Sequence, residues 1–405
     1  MSLKSLKGSL YIALFVGFID YLGVGLVYPM FSSMLFDPTH PLLPFETTQA
    51  MRGLWLGVLF TLMPLAEFLT APIWGAYSDG IGRKKPLQIS LCVGFFGYFV
   101  AFLGVFFNNL TLLLISRLLV GCAAGNISIV QATIADVSSN EEKTKNFGLN
   151  SMALGLGFTF GPFCSGILSS HSYSTPFLFA LALILLNIIF TAFFFKETHY
   201  HFIKKKISWT LGLSQMKQAF QMKGLRILFL CSFLNYFGWS YFFEFSPVFL
   251  ISRFAFSPCD LGIFFGLAGG FYALSSGLFI RPLIHRVKPE TLFCWGLFLT
   301  AFSIFLIPLI PSLIWLWPVI FLVCYFTSLT YPTATALVSN SASSSTQGEA
   351  LGIFSAINAA AMAISPILSG SLVGNHPTLP MWVGGSAMLI AGIIYLATSF
   401  KQVFK

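Results

Sequence analysis

Apolar residues in this chain come in long unbroken runs rather than at every second position or along one helical stripe. Short polar clusters separate the runs. A helix needs about 20 mostly apolar residues to cross a bilayer. Twelve runs meet that length: 8–36, 50–77, 86–107, 109–137, 144–170, 175–195, 225–252, 259–284, 289–309, 312–340, 348–374 and 378–400. The ninth and tenth have the least distinct boundary, because Pro308, Pro311 and Pro318 crowd it. The N-terminus is short and basic. The run behind it is long enough to span and lacks a small-residue cleavage site, so no cleavable leader is predicted.

Composition agrees with the pattern. Hydrophobic residues make up 56% of the 405 and charged residues 9%, against about 25% charged in a soluble domain. The expected fold is an all-α membrane protein of twelve transmembrane helices. The net charge of +9 changes little, because of where the charges fall. With the N-terminus inside, Lys4, Lys7, Arg83, Lys84, Lys85, Lys204, Lys205, Lys206, Arg286 and Lys401 all lie at the cytoplasmic face. Arg52 and Arg253 fall outside, and Arg117 falls within a run. That is the positive-inside bias. It predicts both termini in the cytoplasm and removes the case for a nucleic-acid partner. The seven cysteines are scattered through the runs with no CxxC, so neither a disulfide nor a metal site is expected.

The chain reads as two related halves, 1–195 and 225–405, joined by a polar cytoplasmic linker at 196–224. "FIDYLG" at 18–23 is echoed by "FLNYFG" at 233–238, each in the first run of its half. "GPFCSGIL" at 161–168 is echoed by "SPILSGSL" at 365–372, with Gly148 and Gly352 fourteen residues before the two prolines. Duplicated halves mark many secondary transporters, whose substrate site lies near the midplane.

Four motifs carry a family resemblance. "GAYSDGIGRKKPL" at 75–87 joins the second and third runs. It resembles the signature loop of the major facilitator superfamily, with Gly75, Asp79, Gly82, Arg83 and Lys84 in place and Gly80 where the family has arginine. Its acid near a helix end and its basic cluster suit a breakable latch, to which Asp136 is expected to contribute. "FIDYLGVGLVYPMF" and "LLLISRLLVGCAAG" (112–125) resemble the first- and fourth-span motifs of drug/proton antiporters. "GLGFTFGPFCSG" (155–166) resembles their fifth-span motif through Gly157, Gly161 and Pro162, with Ser165 replacing a glycine. The run from Arg117 to Gly148 is similar to the tetracycline-efflux branch. The resemblance implies two pseudo-symmetric six-helix bundles and a hinge or seal at Gly157, Gly161 and Pro162.

Charges inside the runs are the candidate chemistry. A carboxylate at bilayer depth costs about 2.5–3.5 kcal/mol on insertion scales, so Asp20 needs a partner or a water-facing position. It lies about 18 Å into the first run, and Arg117 enters the fourth from the other side to about 12 Å. These depths coincide, and the two are expected to interact, directly or through water. Glu67 is a second acid, where the related efflux proteins usually carry glutamine. Glu244, in the seventh run, is a third. Asp20, Glu67, Arg117 and Glu244 are therefore the expected proton-coupling set. Asn235 replaces Asp20 in the repeat, which suits coupling by the first half and substrate contact by the second. Tyr21, Tyr236, Trp239 and Tyr241 flank these positions and are expected to line the cavity. Asn126, Gln131, Asn150 and Asn358 are expected to do so as well.

No Walker motif, G-x-S-x-G or H-E-x-x-H occurs, so neither an ATP-driven pump nor a hydrolase is supported. The expected function is proton-coupled export of a small amphipathic compound by alternating access, without a cofactor. The alternatives are a proton-coupled importer of a metabolite or siderophore on the same fold, and a non-transporting membrane receptor or enzyme. The expected partners are substrate, protons and lipid. The expected state is a monomer in a bacterial inner membrane.

Overall fold

The computed structural model describes residues 3–37, 40–138, 143–200, 222, 224–341, 347–374 and 376–403. Most of the predicted linker, 201–221 and 223, lies outside the described residues. All secondary structure described is helical. In chain order the helices are α1 (Leu3–Phe36), α2 (Gln49–Ile81), α3 (Lys84–Phe106), α4 (Leu110–Ala124), α5 (Ile127–Val137), α6 (Lys143–Ser169) and α7 (Thr175–Phe194). Then follow α8 (Arg226–Phe254), α9 (Pro258–Leu274), α10 (Arg281–Arg286), α11 (Pro289–Leu306), α12 (Leu313–Ser341), α13 (Gln347–Val373) and α14 (Leu379–Val403).

Eleven of the described spans are long and apolar enough to cross a membrane. The chain is an integral, multi-pass membrane protein. The predicted seventh span folds as α8 but is not among the eleven. Asn235, Trp239 and Glu244 dilute its apolar content, and much of it is buried. Two predicted spans are broken. The fourth is interrupted at Gly125 and Asn126, giving α4 and α5. The eighth passes from α9 into a π-helical turn at Ser275–Phe279 before α10. At the crowded proline junction, α11 ends in a 3₁₀ turn at Ile307–Leu309, and α12 begins at Leu313.

The chain forms two compact units. The first comprises Met1–Glu46, Leu62–Gly212 and Ser257–Gly266; the second comprises Thr47–Thr61, Leu213–Phe256 and Leu267–Lys405. In the first, α1 packs on α6 and α7, and α3 on α4 and α7. In the second, α8 packs on α13 and α14, and α11 on α12 and α14. The same four pairings thus recur in both.

Small residues set the tightest approaches, as expected where lipid offers no hydrophobic drive between helices. A side chain at Gly157 or Gly161 would run into the backbone of Phe18 or Leu22 on α1. Outward faces carry large apolar groups instead. On α7, Phe177, Ala180, Ile184, Asn187 and Thr191 are buried, whereas Leu178, Leu185, Ile189 and Phe193 are exposed. Polar groups inside and hydrocarbon outside is the arrangement a lipid solvent selects.

Candidate functional site

The break in span four builds the centre of the first unit. At Gly125 the chain comes so close to α2 that a Cβ would sit 2.7 Å from Thr70 Oγ1 and 2.8 Å from the Ala71 nitrogen. The interruption frees backbone carbonyls, which α2 and α5 satisfy. Trp74 Nε1 donates to the Cys122 carbonyl at 2.7 Å, and Ser128 Oγ reaches the Gly125 carbonyl at 2.9 Å as well as the Ala71 carbonyl of α2 at 2.9 Å. Asn126, now at the start of α5 and 1% exposed, stands beside the Asp20 carboxyl on α1. The other Asp20 oxygen, Oδ2, is buried and has no hydrogen-bond partner among the described residues. Glu67 on α2 stands close enough to feel the Asp20 charge.

Arg117 is buried on α4 at 2% exposure. It does not make the direct ion pair with Asp20 that equal depth suggested. Its Nη2 lies 2.7 Å from Met63 Sδ, its guanidinium lies 5.6 Å from the centre of the Phe31 ring, and Nε and Nη1 have no hydrogen-bond partner among the described residues. Depth along two helices fixes height but not azimuth. Tyr98 of α3 feels the charges of both Arg117 and Asp20, and its hydroxyl packs where a side chain at Gly23 would otherwise stand. Sequence reasoning missed Tyr98, since nothing local separates it from the other tyrosines; Gly23, already in the motif, was the indirect signal. A small cavity of ≈ 10 Å³ touches Asp20, Gly23 and Tyr98, with Ala180, Leu183 and Ile184 of α7 as its far wall.

The remaining predicted residues of this unit separate into packing and surface positions. Tyr21 makes an edge contact with Phe158 at 6.4 Å. Asn150 is buried, its Oδ1 3.5 Å from where a Gly17 Cβ would be, so it sits between α1 and α6. Gln131 is exposed. Pro162 and Gly161 pack on Gly25 of α1. The Ser165 hydroxyl donates to the Leu26 carbonyl, so the serine that departs from the family motif ties α6 to α1.

In the second unit, Asn235 is buried and its Nδ2 donates to Thr330 Oγ1 at 3.4 Å. Tyr236 meets Tyr331 edge-on at 6.1 Å, and Trp239 stacks on Phe243 at 5.6 Å. Tyr241 is buried, 4.8 Å from Phe237 between ring centres, and its Cβ lies against Gly384 of α14, a helix-packing position. Glu244 is 2% exposed, stands one turn after Ser240 on α8, and its Oε2 has no hydrogen-bond partner among the described residues. Asn358 is buried on α13 with Oδ1 unpartnered.

The signature loop forms a closed charge cluster. Arg83 Nη1 bonds Asp79 Oδ1 at 2.7 Å, and Arg83 Nε bonds Asp136 Oδ2 at 2.9 Å. Burial works against the Arg83 charge, but its hydrogen bonds to Asp136 and Asp79 outweigh it and hold its pKa above the ordinary arginine value. Glu197, just past α7, was not singled out from sequence, although it is the first acid after that span. Its carboxylate accepts the backbone N–H groups of Arg83 at 2.7 Å and Lys84 at 3.1 Å, capping α3 where no side chain of its own does. Gly82 has φ +99°, and a Cβ there would meet Glu197 Oε2 at 2.5 Å; only glycine suits that turn. Lys84 Nζ reaches the Ala192 carbonyl at 2.8 Å. Gly75 packs loosely on Ser128.

This loop and the paired bundles are those of a known family, and the Major Facilitator Superfamily model matches residues 13–325 and 274–402. The chain belongs to the Major Facilitator Superfamily. It is a transport protein, not an enzyme. As a superfamily member it is 27% identical over 385 residues to quinolone resistance protein NorA of Staphylococcus aureus (strain MRSA252), covering 94% of this chain and 93% of that one. It is 24% identical to multidrug resistance protein 2 of Bacillus subtilis (strain 168), covering 92% and 90%. Among solved structures, the human organic anion transporter MFSD10 superposes with a TM-score of 0.73 at 21% identity, covering 96% and 99%. The POT family transporter PepTSo superposes with a TM-score of 0.75 at 12% identity, covering 99% of each. These two establish the superfamily fold.

Proposed function

We propose that this protein is a proton-coupled exporter of small amphipathic organic compounds, working by alternating access. The observation that carries the reading is the Asp20–Glu67 pair: two acids in one bundle interior, one with a buried oxygen that no protein donor reaches. Two such carboxylates repel when both are ionised, and taking up a proton relieves that repulsion. A proton taken up there favours whichever conformation buries the pair more deeply, and proton release favours the other. Glu244, buried beside Ser240 in the second unit, is a third proton-binding group in this reading. Arg117, without a carboxylate partner in this state, is available to pair with Asp20 in the other. The relatives, a quinolone resistance protein and a multidrug resistance protein, support export of drug-like compounds. The positive-inside bias supports both termini in the cytoplasm, and the bacterial relatives support the plasma membrane of a bacterium. A monomer is the proposed unit.

The second reading, a proton-coupled importer of one metabolite, draws on one departure from the antiporter motif, Ser165. Direction of flux separates the two. In proteoliposomes with an internal pH dye, a fluorescent quinolone or ethidium should move against the proton flow. Substrate and protons moving together would replace export with import. No movement with any member of a panel of amphipathic dyes, organic acids and siderophores would refute transport of these classes.

A further inference from the structure

Asp20 reaches a cavity whose far wall belongs to α7. From that wall α7 runs on to the membrane rim, where the Ala192 carbonyl accepts the Lys84 ammonium at 2.8 Å. From Ile184 on the cavity wall to Thr191 is seven residues, or about 10 Å of helix. Over that stretch the inward face of α7 is Ile184, Asn187 and Thr191, and all three are buried. Asn187 is 0% exposed and, among the described residues, neither its Oδ1 nor its Nδ2 has a hydrogen-bond partner; Thr191 is 0% exposed and its Oγ1 has none among them either.

Two orphan side chains, one turn apart and fully buried, are expensive in a bundle that could have used leucine and valine. Buried polar groups are otherwise paired almost without exception, and an unpaired one costs about 1–3 kcal/mol. The opposing helix offers a matching station. Gly94 of α3 meets Ile184, and Lys84 meets Ala192, which fixes an antiparallel register. It puts Ser90 at the level of Asn187. Ser90 is 0% exposed, and its hydroxyl donates to the Leu87 carbonyl at 2.8 Å, leaving its lone pairs as acceptors. The stations therefore line up from Asp20 through the cavity to Asn187 and Ser90, then Thr191, then the rim at Lys84. Buried waters typically make about three hydrogen bonds to such groups.

We propose that a file of waters between α1, α3 and α7 joins Asp20 to the Lys84 rim and is the proton path of the first unit, with Asn187 and Thr191 as its fixed stations. The proposal rests on the reading that Asp20 binds the coupling proton. A proton arrives at the rim as hydronium and hops from water to water. The last hydronium gives it to the Asp20 carboxylate, leaving a neutral carboxylic acid and water. Asn187 and Thr191 hold the waters and do not themselves change protonation.

The test uses the full chain in proteoliposomes, with a fluorescent quinolone or ethidium as probe and three readouts: probe-driven proton flux, probe-for-probe exchange and equilibrium probe binding. Thr191→Val keeps shape and removes one station; Asn187→Leu removes the other; Asn187→Ser keeps a polar group. The expected result is proton flux slowed at least about tenfold in the two apolar variants, exchange and binding unchanged, and Asn187→Ser near wild type. Wild-type proton flux in Thr191→Val and Asn187→Leu, with Asp20→Asn uncoupled, overturns the path and leaves Asp20 as the proton site. Full coupling in Asp20→Asn overturns the underlying reading and the path with it. Proton flux, exchange and binding all weakened together overturn the path in favour of a packing role. Should Asn187→Leu not fold, Thr191→Val carries the same decision.

Discussion

The first helices of the two halves begin from one pattern and end in different chemistry. On α1, Asp20 interacts with Asn126, lies in the field of Glu67, and keeps one oxygen unpartnered. On α8 the repeat-related residue is Asn235, neutral and held by Thr330 at 3.4 Å. The signature loops diverge in the same way. After α2, Arg83 joins Asp79 and Asp136, and Glu197 caps α3. After α9 the chain takes a π-helical turn and a short helix instead. At the position of Asp20, the first copy of the scaffold thus carries an acid where the second carries a neutral amide held within its packing.

The strongest way to break this comparison is to exchange its charges. The double variant Asp20→Asn with Asn235→Asp is expected to lose proton-coupled transport by about 100-fold or more, because the side chain at 235 sits against Thr330 and not beside Glu67 and Asn126. Flux measured in proteoliposomes checks this, and recovery in the double variant would show the halves to be interchangeable. Next in size is the latch. Arg83→Ala removes the shared partner of two carboxylates and is expected to cost about 3 kcal/mol, read as a fall in Tm of the purified protein. Arg286→Ala, at the corresponding loop of the second half, is exposed and should stay within about 0.5 kcal/mol of wild type.

Smaller effects sharpen the picture. Glu197→Gln keeps the shape of the α3 cap and loses its charge, so a cost of about 1 kcal/mol is expected. At the opposite end of the unit, His40 is held neutral. Burial lowers its pKa, the Asp37 charge opposing only in part, and its Nδ1 accepts the Leu42 N–H at 3.2 Å. A histidine lowered in the fold contributes stability that is present above its unfolded value of about 6.5 and is lost as pH falls from there through its lower folded value. His40→Asn is expected to flatten the Tm-against-pH curve only on the acid side; an unchanged acid slope would remove this role.

Much of the fold was legible because lipid enforces it. Long apolar runs gave eleven spans close to their observed limits, and the signature loop gave the Asp79–Arg83–Asp136 cluster. What escaped the sequence was azimuth and local breakage. Equal depth placed Arg117 beside Asp20, but its guanidinium turns to Met63 and Phe31. Hydropathy cannot see the break at Gly125, because a broken helix is as apolar as a whole one, and that break is what brings Asn126 to Asp20. Tyr98 was hidden among like residues. Asn187 was hidden because a single amide in a run as apolar as 175–195 carries no periodic signal.

The central claim is that Asp20 binds the proton that substrate displaces. Proton release on adding a fluorescent quinolone or ethidium to purified protein in weakly buffered detergent solution tests it most directly, with Asp20→Asn beside the wild type. The account predicts release from the wild type and none from Asp20→Asn, with probe binding retained. Equal release from both would contradict it and leave Asp20 a structural acid.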